Sequence, residues 1–242
     1  MSLQNKNLEK IFFDKFGESG YEVFKTESYI RFLRFLKNLV VPLEGQKCLE
    51  IGCGSGAFTR FIKSLKLDIT ALDISSECIK YAKLHIPEVN FQIGDIENLH
   101  FKDNTFDIVI SGAVIHHFAN DLYKVFTQIY RVLKVNGKFF AYEPNRRNPI
   151  MYLYRDPSSP FYSPVGVTKN ERPLDKSELK KALYKVGFSE VKIFATSGVC
   201  YKYVESKFAL KLLPLYNLWE KFLGITPFAK EYGSFLIIFA IK

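Results

Sequence analysis

The chain has only four cysteines in 242 residues, Cys48, Cys53, Cys78 and Cys200, and no C-x-x-C pair. Cys48 and Cys78 sit among apolar residues, where small free thiols are commonly buried. This argues against a disulfide framework and leads to the expectation of a reducing, cytoplasmic setting. No group of Cys and His has ligand spacing, so the sequence predicts no metal site. No apolar run reaches about 18 residues, so no transmembrane helix is expected. The start, MSLQNKNLEK, lacks the apolar region of a signal peptide. Basic residues never stand in blocks of about five or six, and no zinc-finger spacing or RNP-like motif occurs. Internal repeats and low-complexity tracts are missing too.

What is present supports a folded domain. Hydrophobic residues make up 48% of the chain, enough for a sizeable core. The length suits one large domain or a domain with a cap. The net charge is +9. That balance admits an acidic substrate, a nucleic acid or an anionic membrane surface. The basic residues are spread along the chain, which favours a solvated lysine-rich surface.

The pattern along the chain alternates. Residues 8–40 read as helical, with Ile30, Leu33, Leu36 and Leu39 at helical spacing, until Pro42, Glu44 and Gly45 break it. KCLEIG then reads as a strand and AFTRFIKSLK as a helix. DITALDI is a second strand, and SECIKYAKLHI a helix with Ser75 or Ser76 as its N-cap. VNFQIGD and FDIVISGAV are the third and fourth strands. DLYKVFTQIYRVLK is a helix ended by Asn136-Gly137, and KFFAYEP a fifth strand. Residues 145–173 are rich in Pro, Tyr and Arg and read as a long functional loop. DKSELKKALYKVGF starts with a capping box of Asp175 and Glu178. EVKIFAT is a sixth strand, residues 201–224 one or two amphipathic helices interrupted by Pro214, and SFLIIFAIK a seventh strand. Strands alternating with helices imply a parallel sheet with right-handed crossovers.

The first strand–helix turn, LEIGCGSG, is where a nucleotide-like ligand meets such a sheet. Glycines permit the tight turn and a close approach of ligand to backbone. Asp73, 21 positions after Gly52, ends the second strand where an acid accepts from ribose hydroxyls. Gly52, Gly54 and Ala57 also satisfy the dinucleotide pattern. Glu50 separates the two readings: an acid there repels a pyrophosphate and suits an amino or sulfonium group. Asp95, ending the third strand, is placed to accept from an adenine amino group.

The ordered set LEIGCGSG, LDIS, GDIENLHF, FDIVISGAVIHHF and RVLKVNGKFF resembles the class I S-adenosylmethionine-dependent methyltransferases. The resemblance is close over residues 46–144 and looser over 175–198. Within that family it looks most like the small-molecule branch that includes quinone-biosynthesis and sterol-type enzymes. It implies an α/β, Rossmann-like seven-stranded sheet of order 3-2-1-4-5-7-6 with the last strand antiparallel, plus a helical cap. It implies S-adenosyl-L-methionine as cofactor, with S-adenosyl-L-homocysteine as product. By position, Gly52, Cys53, Gly54 and Gly56 would line the methionine and ribose part. Glu50 would help hold the amino group, and Asp73 would accept both ribose hydroxyls, with Ile74 packing on adenine. Asp95 would meet the adenine amino group and Ile96 would supply a backbone N–H. Ser111 and Gly112 would flank the methionine moiety.

His116 and His117 follow the fourth strand beside the expected methyl and are the leading base candidates. Glu143, ending the fifth strand, is a third candidate as base or as binder of a cationic substrate. Arg146 and Arg147 are candidates for an acidic group. No N/D-P-P-Y/F follows the fourth strand, which argues against methylation of exocyclic amines, and no Pro-Cys pair supports cytosine C5 chemistry. No extra Asp/Asn pair suggests a catechol-type metal site.

The shared core leaves residues 1–44 as an N-terminal helical cap. Residues 45–242 form the methyltransferase domain, with cap insertions at 145–173 and 199–232. These segments carry Tyr21, Phe24, Tyr152, Tyr154, Tyr201, Tyr203 and Trp219, so the expected acceptor is a small organic molecule, aromatic or lipid-like. ESKFALKLLPLYNLWEKFLGI also has the composition of a helix lying on a membrane surface. The alternatives are an RNA methyltransferase acting on tRNA or rRNA, and a non-catalytic S-adenosylmethionine-binding protein. The expected state is a monomer or homodimer.

Overall fold

The computed structural model describes residues 6–17, 20, 22–40, 44–168 and 171–242. Tyr21 and Pro42 lie outside the described residues. The chain runs α1 (Lys6–Gly17), α2 (Thr26–Leu39), β1 (Lys47–Ile51), α3 (Thr59–Ile62), β2 (Asp68–Asp73), α4 (Ser76–His85), β3 (Asn90–Ile93), β4 (Phe106–Gly112) and α5 (Leu122–Val132). It continues with β5 (Leu133–Pro144), α6 (Pro149–Arg155), α7 (Lys176–Val186), β6 (Lys192–Thr196), α8 (Lys207–Leu223), α9 (Ala229–Tyr232) and β7 (Phe235–Ile241). The seven strands form one sheet of order β3-β2-β1-β4-β5-β7-β6, as expected. β1 to β5 pair in parallel, and β7 inserts antiparallel between β5 and β6.

Alternation along each strand sends successive side chains to opposite faces. Leu49, Ile51, Val109 and Ala141 enter one core with α5 and α7. Cys48, Ile108, Ile110, Phe140 and Tyr142 enter the other with α2 and α4. Both faces are covered, so the strands are apolar throughout.

The stretch 8–40, read as helical, is made of two helices. Gly17 lies against the backbone of α4, where a Cβ would come within 2.5 Å of the Glu77 carbonyl carbon, and Gly20 takes a positive φ of 77°. α1 therefore crosses α4, and the chain turns before α2. Of the two, α2 is core: Phe32 and Leu36 are fully buried, and Phe32 stacks on Tyr142 with ring centroids 3.7 Å apart and planes 5° from parallel. Phe32→Ala is expected to lower the unfolding free energy by about 3–5 kcal/mol in urea denaturation, because the sheet cannot close over the lost ring.

Three other local expectations shift. α5 stops at Val132, because Leu133 already pairs with Phe106; Asn136, at φ 61°, makes a turn inside β5 and does not cap the helix. Residues 145–173 contain α6, with Asn148 accepting from the Ile150 and Met151 amides and Pro149 in the first turn. That Asn-Pro start is a legible N-terminal signal. Asp175 caps α7, but Glu178 does not complete a box; it pairs with Arg172 at 2.6 Å. Ser75 caps α4 as expected. Residues 207–223 form the single helix α8 with Pro214 inside it. Phe208, Leu215, Leu218 and Phe222 of α8 are exposed. Among the described residues, no helix is long and apolar enough to cross a membrane.

The outer segments meet each other above the sheet edge. Phe24 bridges to Tyr201, and Ser28 Oγ both donates to the Cys200 carbonyl and accepts from the Cys200 amide. Asn217 of α8 holds the Tyr201 backbone through two side-chain bonds of 2.9 Å.

Candidate active site

A cleft opens at the carboxyl ends of β1, β2 and β4, where the strand order reverses and doubly wound sheets bind ligands. Its floor is the turn after β1. Gly52 and Gly54 adopt φ of 65° and 53°. A Cβ on Gly52 would lie 2.3 Å from the Val114 side chain, whereas one on Gly54 would meet nothing within 4 Å. Gly52 is thus required by close packing, and Gly54 turns bare backbone to open space. Gly52→Ala is expected to cost on the order of 3 kcal/mol in chemical denaturation, from left-handed strain and the clash together.

The acids stand where the sequence placed them, each with defined partners. Asp73 accepts from the Gly54 amide at 2.8 Å and the Ser75 amide at 2.9 Å. Each oxygen keeps a second lone-pair site for a further donor. Burial raises its pKa, and those backbone bonds oppose the rise. Glu50 is 2% exposed and accepts from Thr59 Oγ1 at 2.6 Å. Burial pushes it up to about 8; the Thr59 bond counters this and the Asp73 charge adds to it. A buried carboxyl with one neutral partner favours a cationic neighbour. Asp95 caps the turn at Glu97 with one oxygen and pairs with Lys6 of α1 through the other. Lys6 also reaches Glu97 at 2.6 Å, so α1 is fastened across the β3 end of the cleft.

Cys53, Ile74, Ile96 and Gly112 line the cleft with these groups. Gly56 and Ser111 do not. A Cβ on Gly56 would come within 2.7 Å of Ile86, so this glycine lets the loop close on α4 and does not face a ligand. Ser111 is fully buried in the sheet between β1 and β5.

The catalytic candidates resolve into different roles. Glu143 is fully buried and absent from the cleft wall. It accepts from the amides of Val114 at 3.0 Å, Ile115 at 2.8 Å and His116 at 3.3 Å, and from His116 Nδ1 at 2.8 Å. It orders the turn after β4, so the expectation that it acts as base or binds substrate is corrected. That turn carries strain at Ala113, a non-glycine residue at φ 56°. Burial would lower the His116 pKa, but hydrogen bonds to Glu143 and Glu171 outweigh it and push it to about 9. Nδ1 of His116 is thus committed to Glu143 and is not available as a base. His117 faces Glu9 at 3.3 Å, Thr168 at 3.3 Å and Glu171 at 3.8 Å, with Phe13 edge-on at 5.5 Å. Burial acts to raise Glu171, and the two histidines hold it down at about 2. Glu9 is also lowered, against its burial, by the His117 hydrogen bond.

Glu9, Thr168 and Glu171 carried no signal in the sequence; they reach the site only because α1 and the segment before α7 fold over it. Arg146 and Arg147 do not enter the cleft. Arg146 pairs with Asp156 at 2.5 Å and Arg147 pairs with Glu231, so both tie the segment after β5 together. Arg155 of α6 lines the cleft instead. Phe12, Phe13, Phe24, Tyr29, Phe58, Tyr142, Tyr201 and Phe235 build its apolar wall.

The arrangement fits a ligand with a ribose, a cationic amino-acid end and an acceptor chamber beyond. Known proteins agree. The family model for a methyltransferase domain matches residues 49–141. An uncharacterized methyltransferase of Synechocystis is 26% identical over 71% of this chain and 80% of its own length. A malonyl-[acyl-carrier protein] O-methyltransferase of Erwinia billingiae is 38% identical over 39% of this chain and 38% of its own. A Thermotoga maritima S-adenosylmethionine-dependent methyltransferase, "possible histamine N-methyltransferase", superposes with a TM-score of 0.60 at 23% identity, covering 98% of this chain and 95% of that one. The sheet order and these likenesses converge: residues 49–141 match a methyltransferase domain, and the chain has the fold of S-adenosylmethionine-dependent methyltransferases.

Proposed function

We propose that the protein transfers a methyl group from S-adenosylmethionine to a small organic acceptor held under α1. The observation that carries this reading is the composition of the chamber beyond the cofactor floor. Its walls are aromatic, and its charged groups are mostly carboxylates: Glu9 and Glu171, with Asp73 and Asp95 nearby and, among the described residues, Lys6 and Arg155 as the Lys and Arg side chains. A lining of this charge repels a polyanion, so an RNA acceptor is disfavoured despite the net charge of +9. Aromatic walls suit a flat or apolar acceptor. The O-methyltransferase relative is compatible with an oxygen acceptor, although the chain spans little more than a third of its length.

The sulfonium supplies the activated methyl. What the chain contributes is alignment and water exclusion. Gly52 and Gly54 let the donor lie against the backbone, Glu50 faces its cationic end, and α1 with Phe12 and Phe13 covers the cleft. Near-attack positioning of this kind is worth about 7–11 kcal/mol of barrier. Glu143 acts at one remove, by fixing the turn that carries His116 and His117.

Two measurements test the reading. Calorimetry should give one S-adenosylhomocysteine per chain, and methyl-labelled donor should pass label to low-molecular-mass compounds of a deproteinised extract. No cofactor binding would overturn the reading altogether. Label found only in added tRNA or rRNA would replace the acceptor class.

A further inference from the structure

The cluster on the chamber side of the cleft is more than a set of ion pairs. His116 Nε2 lies 3.6 Å from Glu171 Oε1, and His117 Nδ1 lies 3.8 Å from Glu171 Oε2 and 3.3 Å from Glu9 Oε2. The donor atoms of His116, His117 and Glu171 all fall within 4.8 Å of one another. Charge-assisted hydrogen bonds close to about 2.7–2.9 Å. These contacts do not, while the other ring nitrogen of His116, Nδ1, does so on Glu143 at 2.8 Å. Ligands about 2.0–2.1 Å from a tetrahedral metal stand about 3.3–3.4 Å apart. The observed spacings are near that value and longer than the usual charge-assisted bond.

A second feature points the same way. A ligating histidine usually gives its other ring nitrogen to a carboxylate, which fixes tautomer and direction. Glu143 does this for His116 while its remaining lone pairs hold three backbone amides. His116, His117 and Glu9 are each less than a tenth exposed, and the Glu171 side chain is 13% exposed. Counting Glu143, three carboxylates thus meet two imidazoles in a closed space, an excess of negative charge that a divalent cation would neutralise.

We propose that His116 Nε2, His117 Nδ1 and Glu171, with Glu9 as a fourth ligand, form a site for a divalent first-row transition ion at the edge of the acceptor chamber. The donor set of two imidazoles and two carboxylates suits zinc, manganese or iron over calcium or magnesium. Spacing along the chain hid it, because the ligands come from α1, the turn after β4 and the segment before α7. Bound there, the ion ties α1 to the cleft and offers an acceptor oxygen or nitrogen a Lewis-acid neighbour. This goes beyond methyl transfer and stands whether or not that reading holds.

Full-length protein freed of metal by chelator dialysis is titrated with Co2+ alone, and S-adenosylhomocysteine binding is measured on the same samples. One Co2+ per chain is expected, with visible d–d absorption of a four- or five-coordinate ion that Zn2+ displaces. His117→Ala and Glu171→Gln should each weaken Co2+ at least a hundredfold, and Glu143→Gln by about 10–100-fold through lost orientation of His116. Cofactor binding by each variant reports that it has folded; Glu9→Gln, on a peripheral helix, replaces any that has not and should weaken Co2+ at least tenfold. Wild-type protein that binds S-adenosylhomocysteine but takes up no stoichiometric Co2+ overturns the site. So does a band that survives in folded His117 and Glu171 variants. Co2+ binding without cofactor binding would instead sink the methyl-transfer reading and leave the site standing.

Discussion

Asp73→Ala is expected to weaken S-adenosylhomocysteine binding by about a hundredfold, roughly 2.7 kcal/mol. The carboxylate has two tasks. Its oxygens hold the Gly54 and Ser75 amides at 2.8 and 2.9 Å, which sets the glycine turn against the start of α4. The same oxygens retain lone pairs on the cleft side for the ribose hydroxyls. Each charge-assisted bond to a ligand is worth about 1.5–3 kcal/mol, so losing two accounts for the whole effect before any loosening of the turn. Asp73→Asn should fall between wild type and alanine. An amide has one carbonyl oxygen, and its NH2 must face either a backbone N–H or the ligand's own donors. Calorimetry decides the matter: an alanine variant that binds within threefold of wild type would remove Asp73 from the ribose site.

The second large effect is one of pH. Glu50 without ligand is held up at about 8, chiefly by burial, with Asp73 the charged group acting on it and Thr59 its hydrogen-bond donor. At neutral pH most molecules therefore hold it protonated. A cationic amino or sulfonium group placed beside it favours the ionised form, so binding lowers its pKa and expels a proton. A group whose pKa falls on binding strengthens the complex as pH rises. Cofactor affinity should thus climb between about pH 6 and 8, by up to tenfold per unit, and level off above 8. Calorimetry in buffers of different ionisation enthalpy should detect the released proton near neutral pH. Glu50→Gln should flatten the profile and bind about tenfold or more weaker at pH 8. A wild-type affinity that is level across this range would show that Glu50 does not face the donor's charge.

The parts of the molecule that were legible are those where function rides on local chain order. Glu50 is the penultimate residue of β1, Asp73 the last of β2 and Asp95 the second past β3, so their place at one sheet edge follows from topology alone. Asp95 also shows the limit of that logic: position put it at the adenine end, but only the folded chain brings Lys6 onto it. Gly56 looked identical to Gly54 in the motif. One faces open space and the other packs on Ile86, a difference set by α4 and invisible in the spacing. Glu143 looked like a base or a binder of a cationic substrate because it stands at the end of a strand; the turn after β4 wraps three amides around it and takes it out of the cleft. Where the helical stretch 8–40 divides was hidden for a similar reason, since the helical periodicity of its residues does not report the close approach of Gly17 to α4.

By itself, then, the sequence determined the sheet order, the glycine turn and the row of acids at the strand ends, because residues within a few positions of successive strand ends share one edge of a parallel sheet. Only the tertiary structure decided the acceptor side. Glu9, His117, Thr168 and Glu171 come together from three segments far apart in the chain, and no periodicity within a segment encodes where another segment will lie across it.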